Sequence, residues 1–308
     1  MIVVFIFLLV GFTLLIKGAD WFVDGASNLA LILKVPALVV GLTIVAFGTS
    51  APEASVSVQA ALNGSADIAI SNIVGSNMFN LLACIGACSA FAALQVPKSI
   101  IKRDIPFLLV VSVVIIPIIY TNNQISRVEA IFLLLCIIGY VSYMVYSVSK
   151  NKVVEKEEHL LSKGKSFIYI IIGLLGIFIG GDLVVDSATK IALNFGLSET
   201  LVGLTIVSIG TSLPELVTSF IATKKGQTDI AVGNVIGSNL FNILFILGLS
   251  GSIVPISVNN ELIIDSILVL LVTILIYIMA LKNTISRKSG FTLVALFVLY
   301  TIYIVLRG

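Results

Sequence analysis

Gly48-Thr-Ser-Ala-Pro-Glu53 returns 162 residues later as Gly210-Thr-Ser-Leu-Pro-Glu215 (215 − 53 = 162). Around it, Gly41-Leu-Thr-Ile-Val45 returns as Gly203-Leu-Thr-Ile-Val207 at the same offset. Gly75-Ser-Asn-Met-Phe-Asn80 likewise returns as Gly237-Ser-Asn-Leu-Phe-Asn242. The register holds without a gap from Gly18 to about Ser89, with roughly four positions in ten identical. It carries Asp20, Asp24 and Asp67 onto Asp182, Asp186 and Asp229. Self-similarity at one fixed offset marks a chain built from two copies of one unit.

What kind of unit follows from composition. The 308 residues are 58% hydrophobic and 11% charged, whereas a soluble domain carries about a quarter charged residues. Long apolar blocks stand at 2–16, 107–119, 131–148, 167–179, 262–281 and 291–306. A bilayer-spanning helix needs about 20 mostly apolar residues. The remaining stretches mix apolar residues with Gly, Ser, Thr and Asn, as spans facing other helices or a cavity do. The expectation is an all-α membrane protein of ten spans, near 1–32, 37–62, 68–93, 104–120, 126–149, 166–195, 200–223, 230–254, 262–281 and 289–306. The first block lacks a basic leader and a small-residue cleavage site, so it reads as a span rather than a signal peptide. Five spans per copy is an odd number, so the second copy enters the membrane from the opposite side, an inverted-topology repeat. The organisation expected is a first five-helix repeat at 1–149, a short cytoplasmic loop at 150–165, and an inverted repeat at 166–308.

Loop charges assign the sides. One set of loops holds Lys34, Lys98, Lys102, Arg103, Lys150, Lys152, Lys156, Lys163, Lys165, Lys224, Lys225, Lys282, Arg287 and Lys288. The other holds Arg127, Lys190 and Arg307. The positive-inside rule then puts both termini outside and the 150–165 loop in the cytoplasm. A net charge of +2 gives no reason to expect nucleic acid. Cys84, Cys88 and Cys136 lie in apolar stretches and read as packing residues. His159 reads as a solvated loop residue, and no His/Cys zinc pattern occurs.

A glutamate in mid-span costs a few kcal/mol and is a functional candidate by default. Glu53 and Glu215 each fall midway along a span and each follows a proline. Pro52 and Pro214 each remove a backbone N–H, which is expected to break both helices and free carbonyls near Ala46–Phe47 and Ser208–Ile209. Each copy then offers a carbonyl, two hydroxyls and a carboxylate: Thr49, Ser50 and Glu53, then Thr211, Ser212 and Glu215. The following spans add Ser76 and Asn80, and Ser238 and Asn242, each pair four residues apart on one helix face. All are hard oxygen donors, a set that suits Ca²⁺, Na⁺ or a proton rather than zinc or copper. Taken singly, the prolines could be simple kinks and the hydroxyls interhelical hydrogen bonds. A buried salt bridge would explain the glutamates, but the matched segments hold no mid-membrane Lys or Arg. Asp20, Asp24, Asp182 and Asp186 either line an ion path or bond neighbouring helix ends; Asp67 and Asp229 suit first-turn positions.

Two copies of G-T-S-x-P-E, each followed by G-S-N-x-x-N, resemble the alpha repeats of the cation/Ca²⁺ exchanger superfamily, with the prokaryotic sodium/calcium exchangers the nearest branch. The resemblance implies ligand positions for Thr49, Ser50, Glu53, Ser76 and Asn80, and for Thr211, Ser212, Glu215, Ser238 and Asn242. It adds the main-chain oxygens of Ala46 and Ser208. It also implies exchange of cytosolic Ca²⁺ for external Na⁺ by alternating access, the first and sixth spans sliding across the rest. Archaeal and animal sodium/calcium exchangers usually carry aspartate at the position of Asn242, so this chain, with asparagine in both copies, departs from them by one carboxylate. Ca²⁺/H⁺ exchange in the same fold is the alternative reading, followed by a passive cation channel. An enzyme is not expected, for no Ser/His/Lys dyad or paired-histidine motif appears. No cofactor is expected. The implied partners are inorganic cations and the lipid bilayer of a prokaryotic plasma membrane, with no protein partner.

Overall fold

The computed structural model describes residues 2–64, 66–150, 161–196 and 208–307. Its helices are α1 (Ile2–Leu33), α2 (Ala37–Thr49), α3 (Ala51–Leu62), α4 (Ile68–Phe91), α5 (Ile100–Tyr120), α6 (Arg127–Ser147) and α7 (Lys163–Asn194). After a helical turn at Ser208–Gly210 come α8 (Leu213–Lys224), α9 (Thr228–Ile253), α10 (Asn260–Ala280) and α11 (Arg287–Arg307). Among the described residues, eight of these are long and apolar enough to cross a membrane, and α2 with α3 passes the same test only as a pair, bent by 47° at Ser50. The span expected at 200–223 lies partly outside the described residues, as do His159, the repeated stretch 203–207 and most of the 150–165 loop. α7 starts at Lys163, and Ser162 caps it by accepting from the Lys165 N–H, the role that residue type plays at a helix start.

α4 and α9 form the enclosed centre, while α1, α6, α7 and α11 turn much of their surface outward. That outer surface is apolar, with Phe5, Phe132, Phe167 and Leu299 exposed, as a helix bathed in lipid requires. Two hydrophobic clusters fill the interior. The larger gathers Met78, Leu82, Ile105, Ile119, Ile236, Leu244 and Ile276 around α4 and α9. A smaller one joins Leu15, Phe22 and Ala26 of α1 to Ile170 and Ile177 of α7.

The α1–α7 pair is held by backbone approach. A Cβ on Gly11 would sit 3.0 Å from the Gly180 carbonyl, on Gly18 2.7 Å from that of Gly173, and on Gly25 2.8 Å from that of Ser166. The pairs run in opposite senses along the chain, so the two helices are antiparallel. Without a hydrophobic drive between helices in lipid, close van der Waals packing through small residues is what joins them. The same device seats α2 on α9, where a Cβ on Gly237 would come within 2.7 Å of Ala46 Cβ.

Two short antiparallel ladders tie the loops at opposite ends: β1 (Leu94–Gln95) with β4 (Thr284–Ile285), and β2 (Gln124–Ile125) with β3 (Ile256–Ser257). Each joins a loop of the first half to one of the second, so both halves share each end of the bundle.

Gly18→Leu is expected to destabilise the protein by about 1–3 kcal/mol, the usual range for overpacking, read as a lower thermal midpoint in detergent. Gly139→Ala, where nothing lies within 4 Å of the added carbon, should leave it unchanged.

Candidate cation site

Each glutamate sits at the start of a helix rather than in the middle of one. α2 ends at Ser50, whose φ −84° and ψ 7° leave the helical region, and α3 begins at Ala51 with Pro52 in its first turn and Glu53 behind it. The second copy matches: Ser212 has φ −93° and ψ 4°, and Pro214 and Glu215 lie in the first turn of α8. Proline is tolerated there because that N–H has no intrahelical partner anyway. A carboxylate in the first turn also faces the positive end of the helix dipole. The bend therefore turns a costly mid-span charge into one that a helix terminus stabilises.

The freed carbonyls differ between the copies. The Ala46 carbonyl keeps a bond from the Ser50 N–H at 3.0 Å, so it is not bare as the proline alone suggested. The Ser212 N–H goes instead to Ile209 at 3.1 Å.

The two copies meet through their side chains. Ser50 Oγ donates to Glu215 Oε1 at 2.9 Å, and Ser212 Oγ donates to Glu53 Oε1 at 2.9 Å. Ser76 Oγ lies 3.0 Å from Ser212 Oγ and 3.5 Å from Glu53 Oε1. Thr49, Ser50, Glu53, Ser76, Asn80, Ser212, Glu215, Ser238 and Asn242 are all buried. Among the described residues, Glu53 Oε2, Glu215 Oε2, Ser238 Oγ and Asn242 Oδ1 are buried with no hydrogen-bond partner. A buried carboxylate oxygen left unpaired is expensive, and a bound cation or a proton removes that penalty. Asn242 Nδ2 donates to Asn77 Oδ1 at 3.0 Å, and Asn80 Oδ1 accepts from Cys84 Sγ at 3.5 Å. Three free thiols pack in the helices, with Cys84 at the edge of the site.

Two residues escape a reading of the motifs. Asn72 Nδ2 reaches the Glu53 carbonyl at 3.3 Å and Ser57 Oγ at 3.0 Å. Asn234 Nδ2 reaches the Glu215 carbonyl at 3.4 Å and Ser219 Oγ at 3.0 Å. Asn72, Ser76 and Asn80 stand four residues apart, as do Asn234, Ser238 and Asn242, so each central helix carries one polar stripe. The signal was present: Asn72 and Ser57 return as Asn234 and Ser219 at the repeat offset.

A cavity of about 450 Å³ reaches the site from one end, lined by Asn72, Gly75, Thr211, Glu261, Asp265 and Arg307. Asp265 is a buried carboxylate outside the motifs, neutralised by Arg307 at 2.8 and 3.0 Å. Asp104 is another, held by Arg103 at 2.7 Å and by the Tyr140 hydroxyl at 2.9 Å. Glu53 and Glu215 have no such cation beside them among the described residues. Asp20 and Asp24 bind Lys225, which closes the end of α8, at 2.8 and 2.6 Å. Asp182 and Asp186, their repeat counterparts, are exposed, and Asn63 stands where the repeat places the counterpart of Lys225 (225 − 162 = 63).

A family model described as sodium/calcium exchanger protein matches residues 3–148 and again 165–306. A putative antiporter, CaxA of Alkalimonas amylolytica, is 38% identical across 97% of this chain and 98% of its own length. The sodium/calcium exchanger MaX1 of Methanosarcina acetivorans is 31% identical, across 97% of each. A solved structure of the sodium-calcium exchanger NCX_Mj superposes with a TM-score of 0.86 at 32% identity, covering 97% of this chain and 98% of that one.

Ser50→Ala and Ser212→Ala each remove one hydrogen bond to a carboxylate, worth about 1.5 kcal/mol or more, roughly tenfold in affinity. Titration calorimetry with Ca²⁺ in detergent should find both variants weakened to a similar degree. Loss in one variant alone would mean that the two crossed bonds are not equivalent.

Proposed function

Because the chain belongs to the sodium/calcium exchanger family, we propose that it is an antiporter that moves Ca²⁺ across the membrane in exchange for Na⁺ by alternating access. The observation that carries this reading is the crossed pairing of Glu53 and Glu215, each gripped by the serine of the other copy while its second oxygen stays unpaired. The ligand set we assign is the two carboxylates, the hydroxyls of Thr49, Ser50, Ser76, Thr211, Ser212 and Ser238, the amide oxygens of Asn80 and Asn242, and the carbonyls of Ala46 and Ser208. Oxygen donors in that number suit Ca²⁺, which takes six to eight ligands, better than Mg²⁺. Ten spans in two inverted repeats, joined by the 150–165 loop in the cytoplasm, are the architecture we assign, with both termini outside. The strand ladders support it, since β1 and β4 fall on the lysine-rich end that the charges place in the cytoplasm and β2 and β3 on the other. In that frame the cavity beside Thr211 opens to the outside, and α2 seated on α9 closes the inner route.

Charge sets the coupling. Two carboxylates balance one Ca²⁺ or two Na⁺, and a third Na⁺ would leave unbalanced charge in a low-dielectric interior. We assign electroneutral exchange on that ground. The amide at Asn242 also favours a second reading, Ca²⁺/H⁺ exchange, in which protons neutralise the same two glutamates.

Ca²⁺ uptake into vesicles loaded with Na⁺ distinguishes the two. An outward Na⁺ gradient should drive uptake, and a pH gradient alone should not; the reverse pattern would make the proton the coupling ion. A membrane potential imposed with a K⁺ ionophore should leave the initial rate unchanged. Glu53→Gln and Glu215→Gln should each bring Ca²⁺ flux to background while the protein still inserts. Wild-type flux in both would remove the two carboxylates from the mechanism.

A further inference from the structure

We propose that Asn234 is a positioning residue of the cation site, which takes the hydroxyl proton of Thr49 so that Thr49 and the Ala46 carbonyl both present lone pairs to the bound cation. The inference rests on the exchanger reading above and concerns one residue outside the ligand set given there.

The orientation of the Asn234 amide is dictated by its neighbours. Its side chain is fully buried in α9. The Glu215 carbonyl, 3.4 Å from Nδ2, can only accept, so the amide nitrogen must face it. Ser219 Oγ, 3.0 Å from the same nitrogen, holds it there. Oδ1 is thereby turned towards the other repeat, where it accepts from Thr49 Oγ1 at 3.1 Å.

Thr49 has one proton; Asn234 Oδ1 at 3.1 Å is a closer acceptor than its own helix's Ala46 carbonyl at 3.4 Å, and the Glu215 carboxylate stands beside the same hydroxyl. The choice matters because the Ala46 carbonyl already accepts from the Ser50 N–H at 3.0 Å. A carbonyl has two lone pairs. If Thr49 also donated there, both would be occupied and a proton would stand where a cation should approach. With the proton on Asn234, one lone pair of Ala46 and those of the Thr49 hydroxyl stay open. The contact is held from outside as well. Gly233 and Gly237 let α2 lie against the backbone of α9, a Cβ on Gly237 coming within 2.7 Å of the Leu42 carbonyl.

Asn72 makes the same donor clamp on Glu53 and Ser57, so gripping the glutamate's turn is common to both copies. The acceptor bond to Thr49 crosses between repeats, and it is the part assigned to cation binding.

A double-mutant cycle tests it. Asn234→Ala is expected to raise the Ca²⁺ concentration for half-maximal flux about tenfold, with the maximal rate within about twofold of wild type. In a Thr49→Val background, which has no proton to place, only the loss of the clamp on the Glu215 turn remains, so the same substitution should raise half-saturation by no more than about threefold. Equal losses in both backgrounds, or a loss in maximal rate alone, would make Asn234 a helix clamp and overturn the assignment. Should Asn234→Ala not fold, Asn234→Leu, which keeps a similar branched side-chain shape without an acceptor for Thr49, carries the same cycle. Its effect must shrink with Thr49→Val, and an equal loss in both backgrounds overturns the assignment. The cycle is run on whichever cation the wild type transports. Absence of Ca²⁺ flux in the wild type therefore counts against the exchanger reading, and additivity counts against Asn234 alone.

Discussion

Two carboxylates buried in an apolar interior are the constraint on which the rest depends. Glu53 and Glu215 are fully enclosed, and each unpaired charge in such surroundings is expensive unless donors surround it. Neither motif serine donates to the glutamate of its own copy. The serine of one copy donates to the carboxylate of the other, at 2.9 Å in both directions. The site is therefore shared between the halves from the outset, and relative movement of the halves must alter the grip on both glutamates together.

Backbone geometry makes this exchange of donors possible. The break at Ser50 and at Ser212 ends one helix and starts another at membrane depth, which is tolerated only where protein or a polar cavity covers the loose groups. Here the covering comes from the stripes Asn72-Ser76-Asn80 and Asn234-Ser238-Asn242. The asparagines hold the carbonyl of each glutamate's own turn, so the carboxylate is aimed by its backbone as well as by its serine. Residues Asn80–Cys84 and Phe241–Ile246 wind as π-helix, an irregularity that often marks functional positions.

The remaining carboxylates are handled differently, and the contrast is informative. Asp104 and Asp265 are as buried as the glutamates but carry an arginine each. Asp20 and Asp24 share Lys225 across the gap between α1 and α8. A charge already balanced by a fixed cation has nothing to gain from a mobile one. Among the buried carboxylates of the described residues, Glu53 and Glu215 are the pair without a resident cation. The glycine-lined faces of α1 and α7 complete the division of labour: these two helices pack chiefly on each other, with their own small core beside the main one.

Much of this was written in the chain. Repetition at one offset, apolar length and loop charge depend on residue order alone, and they led to a two-copy membrane protein with paired glutamates. The Gly-Thr-Ser-x-Pro-Glu motif located both breaks, because proline's missing N–H is a local property. What order could not state was which groups meet. A motif says that a serine and a glutamate lie three residues apart; it cannot say that each serine serves the glutamate 165 or 159 residues away. Nor could it separate Asn72 and Asn234 from the many small polar residues that join membrane helices, or show that Asp20 and Asp24 face a lysine. Hydrogen bonds between distant segments depend on how helices cross, and only the tertiary structure, by seating α2 on α9 and bringing the two breaks together, decided that.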